Sequence, residues 1–246
     1  MSARGVGAAL LGALVLFSLV TRESTGAAVR GETGRTSARA APLDNPSGVR
    51  PGLAPVTSAG DRAEAVRLIR RLRVAAMGPK SGYSRARFGR NWADTAGGVP
   101  YARNGCRTRD DLLARDGERV RYRKGSDCVV VAMELRDPYT GKTIRWSKKR
   151  ADEVQVDHVI PLSYEWRMGA RHWTAAKRAR IANDPLNLMP VEGDVNEAKG
   201  GLGPARWLPP RRKIRCAYAV RFAQVALKYN LPVTRADKAV MTAQCR

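Results

Sequence analysis

Four cysteines, Cys106, Cys128, Cys216 and Cys245, stand downstream of an apolar N-terminal stretch. That combination constrains the fold more than any other feature of the chain. Arg4 and the amino terminus form a short positive region, and Gly5 to Val20 is an unbroken run of apolar or small residues. Small residues near Thr25 to Ala28 offer a cleavage point. This is the layout of a secretory signal, assigned to residues 1–28. The run is slightly long for that purpose, so an uncleaved membrane anchor is the alternative, and the segment is at least transiently membrane-associated. Either way the bulk of the chain is expected outside the cytoplasm, secreted or extracellular. An even cysteine count there implies two disulfides. Three pairings are open, of which nearest-neighbour pairing is the simplest. No C-x-x-C occurs and no His adjoins a Cys, which speaks against a zinc site and against thioredoxin-like redox chemistry.

Charge narrows the partner. Lys and Arg total 45 against 22 acids, a net charge of +23. Residues 1–60 hold six arginines and three acids, so the excess belongs to the remainder. Self-repulsion on this scale opposes folding and persists for a use, the natural one being a polyanion. Hydrophobic residues make up 43% of the chain, enough for an ordinary core, which excludes wholesale disorder. No apolar run beyond the N-terminus approaches a membrane span, which excludes a multi-span protein.

Residues 29–60 are Ala, Gly, Pro, Ser, Thr and Arg with few large apolar side chains, and are expected to be a disordered linker. The domain is expected to occupy 61–246. Ala63, Val66, Leu68, Ile69, Leu72 and Ala75 recur at helical spacing up to Gly78-Pro79, and Asp110 to Asp116 reads as a short helix. Val129 to Val131 and Thr143 to Trp146 flank Asp137-Pro138-Tyr139-Thr140-Gly141, a hairpin pattern. Val154 to Ile160 and Leu186 to Val191 are strand candidates. Ser163 to Met168, Thr174 to Ala182, Asp194 to Lys199, Ile214 to Tyr229 and Ala236 to Cys245 read as helices. The fold class is α+β with short strands.

Histidine is scarce, only His158 and His172. His158 follows Asp157 at the end of a predicted strand, and Asn187, Asn196 and Lys199 lie downstream in a strand-turn-helix context. Asp157 and Asn196 offer oxygen donors to a hard divalent cation. A neutral imidazole can take a proton from water, and the cations can hold phosphate. These are the parts of metal-assisted phosphodiester hydrolysis. His172, between Arg171 and Trp173, reads as a surface residue, and Asn183, before Asp184-Pro185, as a turn former. The arginines near the candidate site, among them Arg167, Arg171, Arg178, Arg180 and Arg206, suggest a groove that tracks a nucleic-acid backbone with little base readout.

The D-H pair followed by N-L, seven intervening residues and N-x-x-K resembles the HNH endonuclease family. Further blocks, DHVIPL, ANDPLNL, N-x-x-KG and WLPP, with FGRNWAD and DPYTGK, are similar to exported bacterial HNH proteins related to the C-terminal domain of GmrSD-type restriction enzymes. The resemblance spans about Asp61 to Cys245. It implies a ββα-metal core with a helical insertion rich in Arg, additional helices and a short β-hairpin. It implies Asp157 and Asn196 as metal ligands, His158 as general base, Asn187 as the residue that steadies the base, and Lys199 as a phosphate or leaving-group stabiliser. Asn where many HNH proteins have His favours Mg²⁺ or Mn²⁺ over Zn²⁺. The implied function is an exported endonuclease acting on DNA, and on RNA too in the broader version, with no stable protein partner. The alternative is a non-catalytic exported polyanion-binding protein that keeps the fold.

Overall fold

The computed structural model describes residues 39–246; the expected signal, residues 1–28, and the first part of the expected linker lie outside them. No helix among the described residues is long and apolar enough to cross a membrane.

Apolar residues cover nearly every face of the helix Arg215–Lys228, and such a helix is stable only when enclosed. Every residue from Cys216 to Ala223 is buried. This helix, α6, is the axis of the main core. Against it pack α1 (Ala59–Arg70) and α7 (Arg235–Gln244). Ser58 caps α1 by accepting from the Asp61 amide, and Thr234 caps α7 by accepting from the Asp237 amide. The helix expected to run to Gly78 stops at Arg70 because the chain beyond it is extended. Val74 forms an isolated parallel bridge with Val233, held by the Ala75 amide on the Val233 carbonyl at 3.0 Å.

Ahead of the sheet lies α2 (Thr108–Asp116). Strands β1 (Gly117–Tyr122), β2 (Val130–Arg136) and β3 (Thr143–Ser147) form an antiparallel sheet in that order, with a second small core of Leu113, Val130, Met133, Leu135, Trp146 and Val154 beneath it. The expected hairpin is β2–β3. β1 has no counterpart in the sequence reading, since GERVRY carries no apolar run and none of its residues is buried.

A second, two-stranded sheet pairs β4 (Val154–His158) with β5 (Leu188–Glu192), antiparallel, with Asp157 opposite Met189 and His158 opposite Leu188. Between them run α3 (Leu162–Arg167) and α4 (Ala175–Ala182), the Arg-rich insertion. The predicted second strand begins two residues late, because Asp184 caps a 3₁₀ turn over Pro185–Asn187. The helix α5 (Gly193–Lys199) leaves β5 directly and packs on both strands. Gly193 permits that reversal: a Cβ there would lie 2.0 Å from the Asp152 carbonyl oxygen.

The disulfides are Cys106–Cys128 and Cys216–Cys245, the nearest-neighbour pairing. The linker expectation is corrected from Arg39 onward. Ala40, Leu53 and Val56 are buried. Polar groups of the domain receive the strap they belong to: Gln224 donates to the Pro42 carbonyl at 2.7 Å, and Asp116 accepts from the Gly52 amide at 2.6 Å. Few large apolar residues suffice when the backbone is bonded by side chains of the domain.

Candidate active site

The last two residues of β4 are Asp157 and His158, and α5 folds back across them. Asn196 and Lys199, three apart on α5, share one face and both reach β4. Asn196 donates its amide N–H to Gln155 Oε1 at 2.8 Å. Lys199 Nζ donates to Asp157 Oδ1 and to the His158 carbonyl, each at 2.7 Å. The second carboxylate oxygen of Asp157 accepts from the Tyr139 hydroxyl at 2.7 Å. Tyr139 belongs to the β2–β3 turn, where an exposed residue is the ordinary expectation, yet it is fully buried.

Burial pushes the Asp157 carboxyl above its usual range, with Lys199 and the Tyr139 hydroxyl opposing. Burial likewise pushes Lys199 down, with Asp157 opposing. Lys199 is 0% exposed, so its place corrects the expectation of a phosphate contact. It is a buried brace that ties the carboxylate to the strand backbone.

His158 is also buried. Its Nε2 lies 3.0 Å from the Ala182 carbonyl at the end of α4. A carbonyl only accepts, so Nε2 carries the hydrogen and Nδ1 keeps its lone pair. Trp92 stacks on the ring with centroids 5.7 Å apart and planes 15° apart. Burial first, then the charge of Arg85, pushes the imidazole down to about 3, so it is neutral at physiological pH.

The Asn187 side chain makes no hydrogen bond to His158. It fixes the chain that follows: its Oδ1 accepts from the Ile160 amide at 2.8 Å, and its Nδ2 donates to Glu165 Oε1 at 2.9 Å. Glu165, buried in α3, was given no part in the sequence reading, nor were Tyr139, Trp92 and Arg85. The FGRNWAD and DPYTGK blocks that hold Trp92 and Tyr139 were the available signal.

Asp157, His158 and Asn196 line one open cleft together with Arg85, Lys80 and Ser163. Among the described residues no group of three or more His, Cys, Asp or Glu is placed to hold an ion. The donors available are the remaining lone pairs of the Asp157 carboxylate and the Asn196 amide oxygen, which has no hydrogen-bond partner among the described residues. Two oxygen donors and solvent suit a hard, largely hydrated cation of the Mg²⁺ kind and not a zinc cage.

The arginines expected to grip nucleic acid are largely engaged elsewhere. Arg167, Arg178 and Arg180 donate from Nε to the carbonyls of Gly78, Arg87 and Gly97, at 2.9, 2.7 and 3.1 Å. Arg171 contacts the ring of the exposed His172 at 2.9 Å. Arg206 is exposed and lies outside the cleft. The first three staple the segment 78–97 to the insertion helices through Nε.

Residues 107–244 match the family of GmrSD restriction endonucleases, C-terminal domain. A relative from Arthroderma benhamiae, described as an uncharacterized secreted protein, is 37% identical over 177 residues, covering 71% of this chain and 80% of its own. The comparison therefore reaches the family and not the exported bacterial branch that the motifs suggested. No solved structure matches. With more than half of its length matched to that family, the chain belongs to the GmrSD restriction endonuclease C-terminal domains.

Proposed function

We propose that this chain is an exported, metal-dependent endonuclease that hydrolyses phosphodiester bonds of DNA with low sequence specificity. The observation that carries the reading is the meeting of Asp157, His158 and Asn196 on one cleft, built by two antiparallel strands and the helix that follows them. That β4–β5–α5 layout is the arrangement expected of a ββα-metal core. The family match supports nuclease chemistry, the charge of +23 supports a polyanionic substrate, and the secreted relative and two disulfides support export.

Asp157 and Asn196 would hold the cation, Mg²⁺ or Mn²⁺, whose chemistry is to neutralise charge on the phosphate and on the departing oxygen. His158 Nδ1 takes a proton from water as the water oxygen bonds phosphorus. The P–O bond to the leaving 3′ oxygen then breaks, and that oxygen takes a proton from solvent. The ends formed are 5′-phosphate and 3′-hydroxyl. The Ala182 carbonyl holds the ring in the basic tautomer, and the Asn187–Ile160 bond fixes the chain beyond it.

The engagement of both Asp157 oxygens by Lys199 and Tyr139 favours one second reading, a polyanion-binding protein without catalysis. Nicking of supercoiled plasmid by the oxidised protein separates the two. The expected result is cleavage in Mg²⁺ or Mn²⁺ that EDTA abolishes and that His158→Ala lowers by about 10²–10⁴-fold. Cleavage by His158→Ala at the wild-type rate, or none by the wild type in either metal, rejects the proposal.

A further inference from the structure

We infer that Arg85 is the catalytic residue that grips the scissile phosphate, an inference that rests on the endonuclease reading above. Two hollows flank His158. One is the open cleft shared with Asp157 and Asn196; the other, much smaller, is walled by Phe88, Trp92 and Asn183. The residues common to both are Arg85, His158 and Leu162. Arg85 is thus the cation that lines both hollows, as the imidazole does.

Its backbone is held while its side chain is not. Arg85 opens a 3₁₀ turn over Arg85–Phe88. Phe88 is buried and packs edge-on against Tyr83 and tilted against Trp166. The Arg87 carbonyl accepts from Arg178 Nε. The Arg85 side chain is exposed and makes no hydrogen bond or ion pair among the described residues. Lys199, by contrast, is buried in its bonds to Asp157 and the His158 carbonyl. Lys80 also lines the cleft, with its ammonium 5.8 Å from the centroid of the Tyr83 ring. The arginines of the insertion hold the segment that carries Arg85, and Arg85 is left for the substrate.

A guanidinium fork matches two non-bridging phosphate oxygens. The interaction strengthens as charge grows on them, while the water oxygen bonds phosphorus, its proton passes to His158 Nδ1, and the leaving oxygen departs with the electron pair of its P–O bond. The role therefore belongs to the rate more than to binding.

The test is single-turnover nicking of supercoiled plasmid in Mg²⁺ and in Mn²⁺ by the full, oxidised chain, with Arg85→Ala, Arg85→Gln, Arg85→Lys and His158→Ala, alongside thermal melts. Arg85→Ala and Arg85→Gln are expected to cleave roughly 10²–10³-fold more slowly, with Arg85→Lys between them and the wild type, and with melting temperatures unchanged. Plasmid affinity in EDTA should fall little, with the slope of log K against log salt shallower by about one phosphate contact. If Arg85→Ala or Arg85→Gln cleaves within threefold of the wild type while His158→Ala does not cleave, Arg85 loses this role and the endonuclease reading stands. If the wild type cleaves in neither metal, both fall.

Discussion

Glu165 shows how much of the site depends on residues that touch no substrate. It is 0% exposed, accepts from Asn187 through Oε1, and leaves Oε2 without a partner among the described residues. Burial raises its pKa well above the ordinary carboxyl value, with the Asn187 amide and Lys199 opposing. A raised folded value means a stabilising contribution fully present below the unfolded value of about 4.3 and lost as pH rises toward the folded value. Glu165→Gln keeps the shape and the acceptor but has nothing to ionise. Its melting temperature should equal the wild type's near pH 4 and exceed it increasingly toward pH 8. A wild type that gains on the Gln variant as pH rises would show an ionised, paired carboxylate instead. Glu165→Ala frees the Asn187 amide and should slow cleavage by about 10–100-fold, the usual effect of losing an orienting partner. At this level the sequence was only partly legible. Asp157, His158 and Asn196 stood out because their spacing is set by chemistry. Tyr139, Glu165, Trp92 and Arg85 did not, since a turn Tyr, a helix Glu and loop residues gain their roles from chain brought in from elsewhere.

Helices and strands were more legible than single residues. Periodicity marked α6 and α7, and the alternation of β4 with its abrupt end at Pro161 marked the strand that carries Asp157 and His158. The misses share a cause: β1, the extended Val74 bridge and the strap 39–58 are held by long-range pairing that no local window contains. The disulfides make the same point energetically. Cys106–Cys128 and Cys216–Cys245 span 22 and 29 residues, so chain entropy assigns each a similar stabilisation, about 3 kcal/mol. What they tie differs. Cys216–Cys245 joins α6 to the end of α7 inside the main core. Cys106–Cys128 joins the start of α2 to the start of β2, beside the loop in which Asp94 accepts from the Asn104 and Gly105 amides at 3.0 and 3.1 Å. Replacing both cysteines of either pair by Ser should lower the unfolding free energy in denaturant titrations by about 2–4 kcal/mol. Only the Cys106–Cys128 pair should also slow cleavage in the protein that remains folded, because its loop carries Trp92 to the His158 ring. Equal rates in the two folded double variants would disconnect that loop from the site.

Taken whole, the molecule is a polycation whose excess charge is not confined to a tail, and this decides how it meets a substrate. A backbone-tracking surface releases condensed counterions in proportion to the phosphates it neutralises, so log K falls by about 0.9 per contact for each decade of salt. With a net charge of +23 and, among the described residues, no helix that presents an identifiable base-reading set, affinity should be steep in salt and flat in sequence. His158→Ala allows the measurement in the presence of metal without cleavage. Its affinity for duplexes of unrelated sequence should agree within a few-fold and fall by roughly 10³–10⁵ between 50 and 200 mM salt, the loss for six to ten phosphate contacts. The cations already bonded to carbonyls, Arg167, Arg178 and Arg180, still carry charge toward the backbone, so their substitution should lower the slope and also the melting temperature. Arg206, exposed and unbonded among the described residues, should lower the slope alone. A shallow slope with strong preference for one sequence would mean that bases are read directly, and the groove would then need a contact surface that the cleft around His158 does not supply.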